Sequence, residues 1–185
     1  MTMDETPGQE PLETRFTEEL VDHYWGSINY LQGLIRASEL KAGLILSFYG
    51  ILLNFVYQSM RIAEVHHSVL IVLYLLLGGW FICTVTSIYF AIRCFIPRLE
   101  ISYDKNIFFF KDVISRFGSI KQFSKTFHEI STNEDALFDQ LGQQIYIISK
   151  IAAVKFKNVH RSLLFLAYGL IALLLIVVYY AMVSF

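Results

Sequence analysis

Charge is scarce in this chain of 185 residues. Only 17% are Asp, Glu, Lys or Arg, against 55% hydrophobic and 16% aromatic, and the mean hydropathy is +0.50. Soluble domains carry roughly a quarter charged residues, so a water-soluble globule is excluded and a membrane protein is expected. Cysteine is nearly absent: Cys83 and Cys94 are too few for a disulfide framework. Proline is confined to Pro7, Pro11 and Pro97, so long stretches carry no helix breaker of that kind. No phosphate-cradling glycine loop, zinc-type Cys/His spacing or serine elbow occurs, and Gly78-Gly79 sits inside an apolar run. His66-His67 lies near Glu64, but adjacent histidines do not share a helix face; a solvated loop without metal is expected. With three apolar runs in so short a chain, little is left for a soluble catalytic core, and no enzyme is expected.

Val69 to Ile92 and Ser162 to Phe185 each run for 24 residues without a charged side chain. About 20 suffice to cross a bilayer core, so both predict transmembrane helices. Ala42 to Met60 is also uncharged but carries Ser47, Asn54, Gln58 and Ser59, and it predicts a third span with a polar face. Residues 61–68 are then expected to form an external hairpin loop. Met1 to Gly8 lack a basic stretch followed by an apolar core, so a cleavable signal is not expected. Ten of the fifteen Lys and Arg residues fall between Phe95 and Arg161, and the hairpin loop carries Arg61 alone. The positive-inside rule therefore places the N-terminus and the segment after the second span in the cytoplasm, with the C-terminus outside.

Residues 1–14, acidic and carrying two of the prolines, read as a disordered tail. Over 15–41, Phe16, Leu20, Tyr24, Ile28, Leu31 and Ile35 recur at three- and four-residue spacings, the apolar face of an amphipathic helix leading into the first span. Ser131 and Glu134 have capping-box spacing and predict the start of a second long helix. Its apolar face is Leu137, Leu141, Ile145, Ile148 and Ala152. The two helices are natural partners in a cytoplasmic stalk. Between them, Asp104-Lys105-Asn106 reads as a turn within a loop or short hairpin, followed by a short helix near 120–127. The fold expected is an all-α membrane protein: three transmembrane helices, a helical stalk and a short irregular or hairpin insert.

Two features carry candidate chemistry. Gly43, Ser47, Gly50, Asn54 and Gln58 form a small-to-polar stripe on the first span. Such a stripe serves close helix packing, or lines a water path when several copies assemble. Gly79, Cys83 and Thr86 make a lesser stripe on the second span. The other feature is the cluster Tyr103, Lys105, Asn106, Phe108, Phe109, Phe110, Lys111, Asp112 and Arg116. Aromatic rings stack on a base, cations hold a phosphate, and Asn or Asp reads a base edge. Aromatics beside cations are equally what a membrane interface or a packed core looks like.

Three stretches together resemble the membrane-spanning effector family of Pycsar anti-phage systems: Arg36-Ala37-Ser38-Glu39-Leu40-Lys41-Ala42-Gly43, Asn106-Ile107-Phe108-Phe109-Phe110-Lys111-Asp112, and Gln143-Gln144-Ile145-Tyr146-Ile147-Ile148-Ser149-Lys150-Ile151. Their order and spacing to the spans agree too. The departures are Glu39, where the family more often has aspartate, and Phe110, where glycine is expected. The resemblance implies a bacterial inner-membrane effector, multi-pass and homo-oligomeric, paired with a pyrimidine cyclase. Its activating ligand would be cCMP or cUMP, with no other cofactor and no nucleic-acid polymer as partner. Ligand binding within residues 93–161 would then impair the membrane and cause abortive infection. On this reading the ligand-site candidates are Lys41, Asn106, Phe109, Lys111, Asp112 and Arg116. The competing expectation is a constitutive membrane scaffold or subunit whose stalk binds a cytoplasmic protein.

Overall fold

The computed structural model describes residues 12–60, 70–96 and 105–184, and within them every regular element is a helix. The tail up to residue 11, the hairpin loop 61–68, the histidine pair, Tyr103 and Asp104 lie outside the described residues. Helix α1 is Leu12–Met60, α2 Leu70–Phe95, α3 Phe110–Ser115, α4 Ile120–Ser131 and α5 Glu134–Ser184. Helices α1, α2 and α5 are each long and apolar enough to cross a membrane, so the three expected spans are present. The chain divides into two compact units, and α1 and α5 contribute to both.

The first unit comprises residues up to Gly33 together with 100–150. The α1 face works as its spacing demands, with Ile28 almost fully buried and Leu20, Tyr24 and Leu31 partly so, although Phe16 stays 68% exposed. On α5, Leu141 and Ile148 are buried on the expected face. The Tyr24 ring lies 5.5 Å from that of Phe138, and Trp25 meets Phe108 edge-on at 5.6 Å. Phe108, Phe127, Phe123 and Phe117 continue this as a chain of ring contacts into α4.

One local expectation is settled between its two alternatives, and another needs correction. Residues 105–109 form a turn that leads straight into the short helix α3, so no hairpin strand occurs at Ile107 to Phe110. The local hydrogen bonds explain why: Asp112 and Val113 both donate their N–H to the Phe109 carbonyl, closing a helical turn where a strand would need a partner. Nor does Ser131 open the second long helix. It ends α4, and Asn133 is the cap of α5, its Oδ1 accepting from the Ala136 N–H at 3.1 Å. Glu134 and Asp135 then sit in the first turn, where the helix dipole favours acids. Replacing Asn133 with alanine is expected to cost about 1 kcal/mol, measurable as faster amide exchange in the first turn of α5.

The second unit comprises Leu34–Leu99 and Ile151–Phe185. Its buried positions follow a four-three rhythm: Ser38, Ala42, Ile45 and Tyr49 on α1, and Trp80, Thr84, Ser87, Ala91 and Cys94 on α2. On α5 they include Lys155, Val159 and Ser162. That rhythm gives left-handed helix packing, and small residues let the backbones approach. Gly169 shows the closeness, because a Cβ there would lie 3.6 Å from that of Cys83. The large aliphatic side chains point outward instead: Leu44, Ile51, Leu75, Ile82 and Leu174 are each more than 60% exposed. A soluble fold buries such residues. Small and polar inside with apolar outside is the distribution for lipid, where each helix satisfies its own backbone.

Candidate functional site

The two candidate stripes on the spans lie one helical position away from the buried seam. Gly79 is exposed, while its neighbour Trp80 is core. On α1 the core line runs through Ala42, Ile45 and Tyr49, which leaves Ser47, Gly50, Asn54 and Gln58 on the outer surface of the chain. Gly43 is partly covered by the Phe95 ring, and a Cβ at Gly50 would meet nothing within 4 Å. The stripe therefore packs no helix of its own chain at those four exposed positions. Gln58 Nε2 instead donates to Asn54 Oδ1 along the same helix at 3.2 Å.

Inside the seam, a line of polar groups on α5 meets the end of α2. The last carbonyls of a helix lack intrahelical donors and carry the negative end of its dipole. Lys155 Nζ, 5% exposed, donates to the Cys94 carbonyl at 2.9 Å and to Glu39 Oε1 at 2.5 Å. Asn158 Nδ2 reaches the Arg93 carbonyl at 3.3 Å. One level deeper, Ser87 and Ser162 exchange hydroxyl-to-carbonyl bonds of 2.7 and 2.8 Å. Deeper still, the Tyr49 and Thr84 hydroxyls face each other inside the bundle, and the buried Trp80 N–H has no hydrogen-bonding partner among the described residues. Water is absent from a lipid interior, so an unpaired donor such as the Trp80 N–H costs about 1–3 kcal/mol.

In the first unit, three of the candidate ligand residues converge on one network. Asn106 is fully buried, and its backbone N–H donates to Asp112 Oδ2 at 3.0 Å. Its Nδ2 donates to the Gln140 carbonyl at 2.8 Å, and its Oδ1 accepts from the Phe108 N–H at 2.9 Å, an Asx turn. Gln140 answers with its own side chain, Oε1 accepting from the Ile107 N–H at 3.0 Å. Asp112, also buried, pairs with Arg116 at 3.5 Å. Asn106 and Gln140 thus fasten this segment to α5 while Asp112 holds the turn together, and the polar atoms of Asn106 and Asp112 point into the protein.

The outward chemistry lies around them. Lys111 is exposed, the Arg116 side chain is 42% exposed, and Phe109 is half-buried at the start of α3. Lys105 holds its ammonium 3.6 Å from the centre of the Phe117 ring. Phe110 is 78% exposed, the aromatic of this segment most open for stacking. Lys41 belongs to the other unit and is exposed on α1. Sequence reasoning missed Gln140, Asn158 and the Lys155–Glu39 pair; their partners lie 33 to 116 residues away, and no local pattern links them. Among the described residues no group of three His, Cys, Asp or Glu side chains is placed to hold a metal ion.

A family model described as the Pycsar effector protein domain matches residues 23–182, and so takes in the buried network and most of all three long helices. No curated protein and no solved structure matches the chain.

Proposed function

The chain belongs to the Pycsar effector family, a family of anti-phage effectors, and from that premise we propose that it is a ligand-gated, non-enzymatic membrane effector. A cyclic pyrimidine nucleotide, cCMP or cUMP, made by a partner cyclase, binds the first unit and drives the spans to permeabilise the bacterial inner membrane. The observation that carries this reading is the extent of the family match, which joins a polar, non-spanning unit to a membrane-type bundle in one continuous block. Lysine and arginine placement supports a cytoplasmic N-terminus and sensing unit.

The surface best suited to the ligand surrounds α3, where Lys111 and Arg116 offer cations to the cyclic phosphate and Phe109 and Phe110 offer rings to the base. Asn106 and Asp112 act beneath it as a rigid floor. Ligand binding can shift the chain between two arrangements only by favouring one of them, and a few kcal/mol suffices. Two features of the bundle suit a second, leaky arrangement. The buried Trp80 N–H, without a partner among the described residues, gains a hydrogen bond if water enters. The outer stripe of Gly43, Ser47, Gly50, Asn54 and Gln58 gives copies of the chain a surface on which to meet.

Leakage from liposomes containing the purified chain tests the reading, with cCMP, cUMP, cAMP and cGMP added separately. Leakage with one pyrimidine nucleotide alone is expected. Lys111→Glu should raise the nucleotide concentration needed by roughly tenfold or more, since a charge-assisted contact is worth about 1.5–3 kcal/mol. Silence with all four nucleotides, from folded and correctly oriented protein, would reject ligand gating by this class and favour the scaffold reading.

A further inference from the structure

The cations of the second unit are distributed unlike those of the first. Among its described residues they are Arg36, Lys41, Arg93, Lys155, Lys157 and Arg161, and the single carboxylate is Glu39. That carboxylate is taken up by the buried Lys155. Five exposed cations therefore remain, and none of them has a carboxylate partner among the described residues.

Their level in the bundle is fixed by contacts. Lys155 touches Glu39 and Cys94, so residues 39, 94 and 155 lie at one height, at the border between the charged segments and the long apolar runs. Arg36, Lys41, Arg93 and Lys157 fall within one turn of that height, at about 1.5 Å per residue. Arg161 lies about 9 Å further along α5, next to Phe90 of α2. A row of uncompensated positive charge at the border of a lipid-type bundle has the placement that suits the phosphates of a bilayer.

Within this row, one place is organised. Arg93 donates from Nη1 to the Tyr89 hydroxyl at 2.9 Å, and its guanidinium lies 5.8 Å from the Tyr89 ring centre. Arg161 places its guanidinium 5.4 Å from the ring centre of Phe90. The two rings adjoin at 5.5 Å, and Phe90 in turn stacks on Phe165. Asn158, one turn before Arg161, binds the Arg93 backbone and so fixes α5 against α2 here. Two guanidiniums are thus seated on neighbouring aromatic rings at the α2–α5 face, both solvent-accessible, with Lys157 one turn away. Arg93 gives only Nη1 to Tyr89 and Arg161 has no hydrogen-bonding acceptor among the described residues, so N–H groups remain on both guanidiniums, and these match phosphate oxygens in a two-pronged fashion that ammonium groups do not.

We infer that Arg93 and Arg161, seated on Tyr89 and Phe90, form a binding site for the phosphate of an anionic phospholipid. The apolar faces beside them, including Ile92 and Leu164, are exposed and suit the acyl chains. The site is separate from the nucleotide surface proposed above and stands whether or not that surface binds its ligand.

Thermal unfolding of the full chain in neutral detergent micelles tests this, with added phosphatidylglycerol, phosphatidylcholine or inorganic phosphate at matched concentration. Phosphatidylglycerol should raise the midpoint by about 5 °C or more, the size expected near a hundredfold excess over the dissociation constant. Arg93→Gln with Arg161→Gln should remove at least half of that rise. Lys125→Gln, an exposed charge in the other unit, should leave it intact. An equal rise with phosphatidylcholine, an equal rise with inorganic phosphate, or a full rise in the double variant would overturn the site. Should the double variant fail to fold, competition on the wild-type chain decides. Native mass spectrometry in an equimolar mixture should retain phosphatidylglycerol several-fold over phosphatidylcholine, and equal retention would overturn it.

Discussion

Replacing Glu39 by leucine is expected to destabilise the second unit by about 2–3 kcal/mol, more than replacing its partner Lys155 by methionine, which should cost about 1 kcal/mol. The asymmetry follows from exposure. The Glu39 side chain is 39% exposed and can return to water when Lys155 is removed, whereas Lys155 is 5% exposed and cannot. Without Glu39, a buried ammonium keeps only the Cys94 carbonyl. Without Lys155, the loss is one donor to that carbonyl, and methionine fills most of the volume. Because Glu39 is partly solvated, the loss on its removal is set below the 3–5 kcal/mol typical of fully buried pairs. Changing both residues together should recover most of what Glu39→Leu loses, since no unpaired charge remains. Unfolding of the three variants in one detergent checks the order. An equally large loss in Lys155→Met would show that the ammonium acts mainly as a cap on α2 and not as half of an ion pair.

The long helices follow from the sequence because their signals are local. Nothing breaks α1 after Pro11, and the face from Leu20 to Ile35 and that from Leu137 to Ala152 repeat within single turns. Which side of a span faces inward does not follow in the same way. On α1 the lines 42/45/49 and 43/47/50 differ by a rotation of one residue, and glycine and serine give the 43/47/50 line the composition of a packed seam. The structure buries the line holding Tyr49 instead, whose ring fills space that glycine leaves empty. On α2 the same competition is settled by Trp80 over Gly79. Composition alone does not decide such cases, because both lines are tolerable in lipid and only the opposing helix selects between them. The start of α5 shows the same limit at a smaller scale. Ser131 with Glu134 satisfies a capping box, yet Asn133 directly before two acids satisfies the cap equally well, and the turn out of α4 decides between them. In the first unit the motif Asn106 to Asp112 is legible in the sequence, but the direction its polar atoms face is not. Gln140 lies 34 residues from Asn106, and its backbone carbonyl, accepting from Asn106 Nδ2, turns Asn106 from a surface reader into an internal clasp.

That clasp makes Asn106→Asp the most damaging small change in the first unit. The new carboxyl would keep the acceptor for the Phe108 N–H but would set an oxygen against the Gln140 carbonyl where Nδ2 now donates at 2.8 Å. It would also add a second carboxylate beside Asp112, which is 1% exposed and has Arg116 as its ion-pair partner at 3.5 Å. Two buried carboxylates near one guanidinium do not both ionise cheaply, so the new group's folded-state pKa would rise above its unfolded value near 3.9. A raised folded pKa means the protonated form favours folding. The variant is least stable at pH 7, by about 3 kcal/mol, and recovers as pH falls through the raised value, when the carboxyl can donate to the Gln140 carbonyl. Asn106→Ala separates charge from lost bonding, because it leaves the Phe108 N–H unpaired and takes the second donor from the Gln140 carbonyl without adding a titrating group. Its cost should be about 2 kcal/mol and flat between pH 5 and pH 7. Hydrogen exchange over residues 105–131, followed at both pH values, measures the two variants on one scale. Equal protection losses at pH 7 and pH 5 in Asn106→Asp would show that this clasp is held by its hydrogen bonds alone. A loss that shrinks at pH 5 only in that variant would show that the floor beneath Lys111 and Arg116 is built for one buried carboxylate and rejects a second. The electrostatic field facing the proposed nucleotide is then set by Asp112 and Arg116 together, so a ligand phosphate would compete with Asp112 for the same guanidinium.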